Sequence, residues 1–364
     1  MSTLSASLHT PAFDSALGKP SHLAYGDAVR VLGTLAVVLG HVCDMPVFTA
    51  DPRTLNWWMC NLLDALSRWA VPVYIMLSGA LLLDPARTEA PGVFYRKRLA
   101  RLGAPLVFWT AFFMLFDIFY TQWHTPRQAM INLVLGQPYP HLHFIFRIAI
   151  LYAFTPMFRI FTRHASRPML VTSVIILFCV WSADSLINGF LGTSLSAFAR
   201  FAPFVAYYLA GYLLRDSYAR REHLKYHVAN VLVCCAILAG VSGILCMRYG
   251  VQGYPSIPMI LYDFLSPVRI PMALSAWIIL ITLFHHRTPT TSRSARLFAF
   301  IAPTTLGLYL IHPAFREILH VHGYNALWPN VLIGIPLITL TVWLISLLTV
   351  LLLMRIPVVR SIVE

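Results

Sequence analysis

Apolar runs of about 20 residues recur along the chain, each bounded by a short polar stretch. Ten can be marked: 28–48, 57–83, 102–121, 143–161, 169–189, 198–214, 227–248, 258–284, 298–318 and 329–354. A helix of about 20 residues rises roughly 30 Å, the thickness of a bilayer's hydrocarbon core. The pattern predicts an all-α, polytopic transmembrane helical bundle of about ten spans. The second and eighth runs are overlong. One holds Pro72 and the other Pro258, Pro267 and Pro271, so tilt, a kink or a re-entrant stretch is expected in each.

The longest polar stretches lie at the N-terminus, at 84–101 and at 122–142. None reads as a linker or an appended soluble domain, and no internal repeat stands out. Residues 1–26 read as a cytoplasmic tail without the apolar core of a signal peptide. Residues 27–358 read as one transmembrane domain, and 359–364 as a second short cytoplasmic tail.

Composition agrees with a membrane chain. Of 364 residues, 58% are hydrophobic and only 11% charged, whereas a soluble domain of this size must still be wetted outside. The net charge of +13 is explained by topology. When both termini and every even-numbered loop are placed on one side, that side holds 19 of the 27 Lys and Arg residues. The positive-inside rule makes it the cytoplasm, and the protein a multi-pass component of the plasma (inner) membrane. No basic patch with interleaved aromatics lies on a soluble face, so nucleic acid is not an expected partner. The six cysteines sit in or beside apolar runs and show no metal-ligand spacing, so no metal and no disulfide framework are expected.

With this orientation, nearly every ionisable group inside a span falls in the outer half of the membrane. Asp64, Arg68, Asp117, Asp184, Arg316 and Glu317 belong to this set. So do His141, His143, Arg147, Asp263, Arg269 and His312, the candidates for binding an acceptor. Interfacial charges that snorkel and cap helix ends give the plain account. A hydrated cleft open to the exterior, suited to a polar, hydroxyl-rich substrate, gives the other. His312 has both readings, because Pro313 frees a backbone carbonyl that an imidazole can bond.

On the first span, Arg30 and His41 are eleven residues apart, so they return to within roughly 20° of one helical face about 16 Å apart. Asp27, Thr34 and Asp44 share the stripe. Arg30 also reads as a positive-inside anchor and His41 as a satisfied buried imidazole. As chemistry, neutral His41 can take a proton from an alcohol, and Asp44 is placed to orient its ring or stabilise the imidazolium. Gly33 and Gly40 allow close approach of another helix or a slender ligand. In the loop Tyr95–Arg101, Arg98 and Arg101 lie one turn apart, where they would grip phosphates bidentately or act only as topogenic charge.

Five stretches, in order, resemble the integral-membrane acyltransferase-3 family over almost the whole chain. They are Asp27-x-x-Arg30-x10-His41; Val71 to Leu83 with Ser78-Gly79; Arg96-x-Arg98-x-x-Arg101 before Pro105 and Trp109; His141-Leu-His-Phe-Ile-Phe with Leu151-Tyr152 and Thr155-Pro156; and Leu306 to Pro313 with Tyr309 and His312. The stretch from Phe204 to Gly211-Tyr212-Leu213 also resembles the family's phrase there. Many members have Gly where this chain has Val31 and Trp where it has His143; the second change bears on the acceptor site. Overall similarity is greatest to acetyltransferases of bacterial exopolysaccharide pathways, of the xanthan type.

The resemblance implies an enzyme that takes acetyl from cytoplasmic acetyl-CoA, as co-substrate, to a sugar hydroxyl of an extracytoplasmic polysaccharide or lipid-linked oligosaccharide. It implies donor binding by Arg30, Arg98 and Arg101 and catalysis by His41 with Asp44. Direct transfer and a covalent acetyl-His route both fit. Ser78 lacks the elbow pattern of a nucleophile and reads as helix packing. Membrane lipid and other polysaccharide-assembly proteins are the further partners implied. The competing class is a transporter or flippase of lipid-linked glycans, which leaves the aligned Arg30 and His41 unexplained.

Overall fold

The computed structural model describes residues 24–191, 201–251, 260–285 and 292–364. Residues 1–23 of the expected tail, positions 198–200 and 258–259 at the starts of the sixth and eighth spans, and the basic residues Lys19, Arg200 and Arg287 lie outside them. Among the described residues the chain is helical, with no strand.

Among the described residues, eight helical stretches are long and apolar enough to cross a membrane. Two shorter apolar helices, Phe204–Leu213 and Arg269–Phe284, stand where the sixth and eighth spans were expected. The protein is a multi-pass, all-α bundle. Its first helix, α1 (Ala24–Thr49), is central: 61% of its apolar window is buried. By contrast α7 (Arg167–Leu191) buries only 17% and stands at the periphery. Its exposed Ile175, Ile176 and Val180 face outward, as a lipid-facing helix requires.

The second expected span is two helices, α2 (Leu55–Ser67) and α3 (Ala70–Leu82). The break falls at Arg68 because Pro72, four residues on, has no N–H for the Arg68 carbonyl. That oxygen is not wasted. Arg269 Nε donates to it at 2.8 Å, and Arg269 also donates to the Tyr262 carbonyl at 2.7 Å. Arg269 opens α10 (Arg269–Phe284), so one buried guanidinium ties the broken span to the short eighth one.

The third span begins earlier than expected. α4 runs Pro91–Phe116, with proline in its first turn, where a missing N–H costs nothing. Arg96, Arg98 and Arg101 are therefore helical, not in a loop. α4 ends in a π-helical turn, Asp117–Thr121. The following stretch returns through α5 (Pro126–Val134), started by a Thr125/Gln128 capping box, to α6 (His143–His164).

The remaining helices are α8 (Phe204–Leu213), α9 (Leu224–Tyr249), α11 (Arg293–Ile301), α12 (Thr305–Val321), α13 (Val331–Leu353) and α14 (Pro357–Arg360). α3 crosses α8 backbone to backbone. A Cβ on Gly79 would stand 1.8 Å from the Tyr208 carbonyl oxygen, and one on Gly211 1.9 Å from that of Met76. These glycines let two apolar helices touch without side chains between them.

Candidate active site

The stripe on α1 divides into two regions. Toward the N-terminal end of α1, a cavity of about 570 Å³ is lined by Arg30, Arg87, Arg98 and Arg101 together with Asp27, Tyr74, Ser78, Tyr152, Tyr309 and Glu364. Toward the other end, His41 lines two smaller cavities of about 100 and 220 Å³.

Four guanidinium groups thus converge on one chamber. Arg98 reaches it from α4, where its guanidinium lies over the rings of Phe94 and Tyr152. The Nε atoms of Arg98 and Arg87 are buried without a hydrogen-bond partner among the described residues. Arg30 donates to Asp27 at 3.0 Å, leaving most of its donors to the chamber. Asp27 and Glu364 offset only part of this charge, and a polyanion would satisfy the rest. Just outside, Lys97 and Arg159 hold Glu89 between them. Burial works against the ionised form of Glu89, but these two cations outweigh it and keep its carboxyl below the usual range.

The histidine end is built from α1, α2 and α12. His41 Nδ1 lies 2.8 Å from Asp44 Oδ2. A carboxylate only accepts, so Nδ1 carries a proton and, in the neutral ring, Nε2 holds the lone pair. Asp44 is itself held from the other side: Arg68 donates to its Oδ1 at 3.0 Å and also pairs with the fully buried Asp64. The carbonyl of His41 accepts from Arg316 at 3.1 Å, and Arg316 is paired with Glu317. Gly40 makes room for this assembly, since a Cβ there would meet Ser67 Oγ at 2.6 Å.

Two further imidazoles stand beside His41. The His312 ring is 5.3 Å from it and that of His141 is 5.8 Å from His312. His312 Nδ1 donates to the Tyr309 carbonyl at 2.7 Å and His141 Nε2 to the Leu310 carbonyl at 3.2 Å. The other nitrogen of each ring is buried and has no partner among the described residues. His141 lies just before the fourth span; burial, then His312 and His41, push it well below the ordinary imidazole range.

An aromatic layer parts the two regions. Tyr309 lines the arginine chamber, yet its ring is 5.7 Å from His141 and 5.8 Å from His312. Phe144 packs on it at 5.3 Å and Tyr74 on Phe144 at 6.0 Å. Gly33 admits the Tyr74 ring, which would meet a Cβ at 2.8 Å, and Tyr74 donates its hydroxyl to the Arg30 carbonyl. Both small residues of α1 therefore accommodate neighbouring helices.

The structure gathers His41, Asp44, His141 and His312 at one end, and Arg30, Arg98 and Arg101 at the other. His143, Arg147 and Arg269 gather around Phe264: the guanidinium carbons of Arg147 and Arg269 lie 5.1 and 4.1 Å from its ring centre and the His143 ring 5.8 Å. None of the three lines the His41 cavities, and Arg269 is committed to two backbone carbonyls. Asp263 is exposed and caps the Leu265 N–H at 3.0 Å. Depth along the spans groups these four with His41, but none of them lines either His41 cavity. Sequence reasoning missed Trp123 and Tyr139, which line the 220 Å³ cavity with His41, and gave Arg68 and Arg316 no role. No group of metal-ligand type is found among the described residues.

A family profile described as an acyltransferase domain matches residues 23–350. No curated protein and no solved structure matches the chain.

Proposed function

Because the chain belongs to the acyltransferase-3 family, and is a membrane acyltransferase, we propose that it moves acetyl from cytoplasmic acetyl-CoA to a sugar hydroxyl on the far side. The acceptor is a unit of an extracytoplasmic or lipid-linked polysaccharide, as in exopolysaccharide biosynthesis. The observation that carries this reading is one helix bearing both ends of the site: Arg30 in the arginine chamber, and His41, about 16 Å along the axis, beside two outer cavities. That separation is comparable to the reach of an extended pantetheine arm. With the basic end in the cytoplasm, the nucleotide phosphates pair with Arg98, Arg101, Arg87 and Arg30. The thioester passes the Tyr74, Phe144 and Tyr309 layer, which moves aside at the expense of the Tyr309 hydroxyl bond to the His141 carbonyl.

The chemistry follows from the protonation of His41. Nε2 takes the proton of the acceptor hydroxyl as its oxygen attacks the thioester carbonyl, and Asp44 stabilises the imidazolium that forms. Collapse of the tetrahedral intermediate breaks the C–S bond. The thiolate takes the proton back from His41, leaving CoA thiol, acetyl ester and neutral imidazole. The alternative first step, attack by His41 itself, would leave an acetyl-imidazole.

The test uses the full chain in proteoliposomes with labelled acetyl-CoA, and mass analysis of surface glycans from cells with and without the gene. Transfer to glycan that falls by about 10²-fold or more in His41→Ala, the scale of a lost general base, supports the reading. His41→Gln should not rescue it, since an amide cannot accept the proton. Glycan movement without acetyl-CoA consumption would indicate the transporter instead.

A further inference from the structure

We infer that the 220 Å³ cavity beside His41 is a pyranose subsite whose stacking platform is Trp123. This deepens the reading above and rests on it for the identity of the reacting hydroxyl. Trp123 and Tyr139 are stacked, with ring centroids 5.6 Å apart and planes 10° from parallel. Both line this cavity, together with His41, Asp44, His141 and Arg316. Tyr139 is buried, packed on Phe113 at 4.6 Å, while Trp123 is 41% exposed. The pair is thus a rigid aromatic slab anchored on one face and open on the other. An indole needed only at a membrane interface has no reason to line the cavity of His41.

The polar atoms of the same cavity make the second observation. Tyr139 Oη and His141 Nδ1, on two of the residues that line it, are buried without partners among the described residues. Leaving such groups unpaired is costly. His141 Nδ1 is an acceptor, because its Nε2 proton is already donated to Leu310. Tyr139 Oη both donates and accepts. A ring that presents C–H groups to an indole on one face and hydroxyls at its edge meets all three demands at once. Apolar acceptors leave the polar atoms unpaired, and acyclic polyols leave the indole uncovered. The cavity holds one ring, so the remainder of an oligosaccharide lies outside it.

The loop is built to hold Trp123 in place. The π-helical turn Asp117–Thr121 ends in Gln122 at a positive φ of 56°, and Asp117, buried, accepts from His124 at 2.7 Å and from Thr121 at 3.0 Å. Trp123 sits between these clamps.

Saturation-transfer NMR on the full chain in micelles tests the subsite, with methyl gluco-, manno- and galactopyranosides as probes and glycerol as the acyclic control. We expect at least one pyranoside, and not glycerol, to receive saturation in the wild type and in Trp123→Phe. In Trp123→Ala the pyranoside affinity should fall about tenfold or more, and in Tyr139→Phe several-fold, with acetyl-CoA affinity the same in all four proteins. No saturation of any pyranoside, or Trp123→Ala binding like the wild type, overturns the inference. Loss of acetyl-CoA affinity in Trp123→Ala but not Trp123→Phe would also overturn it, by showing a general structural role. A wild type that binds pyranoside through Trp123 but never acetyl-CoA overturns the proposed donor and leaves the subsite standing.

Discussion

His312 donates from Nδ1 to the carbonyl of Tyr309, 2.7 Å away, and that is the oxygen Pro313 leaves unbonded in α12. The helix-repair reading of this residue is thus met by its Nδ1, and its other nitrogen is left for the acceptor role proposed above. Repairing the helix fixes the tautomer and leaves an unpaired Nε2 lone pair on a ring packed 5.3 Å from that of His41 and 5.8 Å from that of His141.

His312→Ala should accordingly lower acetyl transfer while leaving acetyl-CoA binding as in the wild type. His312→Asn, whose amide can still donate to the carbonyl, should restore stability in a thermal-melt assay without restoring transfer. If His312→Asn recovers both, the residue serves the helix alone.

The arginine chamber makes a separate prediction. Arg98→Ala and Arg101→Ala should each weaken acetyl-CoA binding by about ten- to a hundredfold, the range for a lost charge-assisted pair, with acceptor KM unchanged. Lysine at either position should recover only part, because a point charge does not reproduce the guanidinium fork. Calorimetry in detergent settles it: equal affinity in the wild type and the double alanine variant would leave these as topogenic charges.

Much of this arrangement was legible because membrane chains advertise their helices. The spans and the stripe on α1 follow from hydrophobic periodicity, whereas the stretch with Arg98 and Arg101, too polar to show that period, reads as a loop and is the start of α4. What periodicity lacks is azimuth. His143, Arg147 and Arg269 have the depth of an outer cleft but turn to Phe264, and which way a helix faces is set by neighbours far away in sequence. The break at Arg68 shows the same limit. Pro72 announced a kink, but the use of the freed carbonyl depended on Arg269, about two hundred residues later. Trp123 and Tyr139 escaped notice for a different reason: they come from an irregular stretch with no period to read.

Arg68 is expected to act on His41 through Asp44. It bridges Asp44 and the buried Asp64 through one nitrogen, Nη2, and the shorter lysine side chain does not carry its ammonium to that point. Arg68→Lys should lower kcat by roughly tenfold with the acetyl-CoA dissociation constant unchanged, since Asp44 loses its second anchor and the imidazole its fixed orientation. Arg68→Met should go further and reduce the yield of folded protein, because Asp64 would be left as an unpaired buried charge. A lysine variant with normal kcat would remove Arg68 from the catalytic account.

The crossing of α3 and α8 sets the last expectation. Here the obstacle to a side chain is backbone on both sides: the Tyr208 carbonyl for Gly79 and the Met76 carbonyl for Gly211. A flexible neighbour can swing away, but two helices held by their own hydrogen-bond ladders can only separate. Ordinary overpacking costs about 1–3 kcal/mol, and parting these helices would also disturb Ser78 at the arginine chamber and Tyr208 in the main core. Gly79→Ala and Gly211→Ala should each sharply reduce the yield of monodisperse protein on size-exclusion chromatography. Gly240→Ala in α9 is the matched control, because nothing lies within 4 Å of its added carbon. There the gain in helix propensity, up to about 1 kcal/mol, should raise the melting temperature or leave it unchanged. If Gly79→Ala and Gly240→Ala behave alike, the two helices do not meet as closely as their glycines imply.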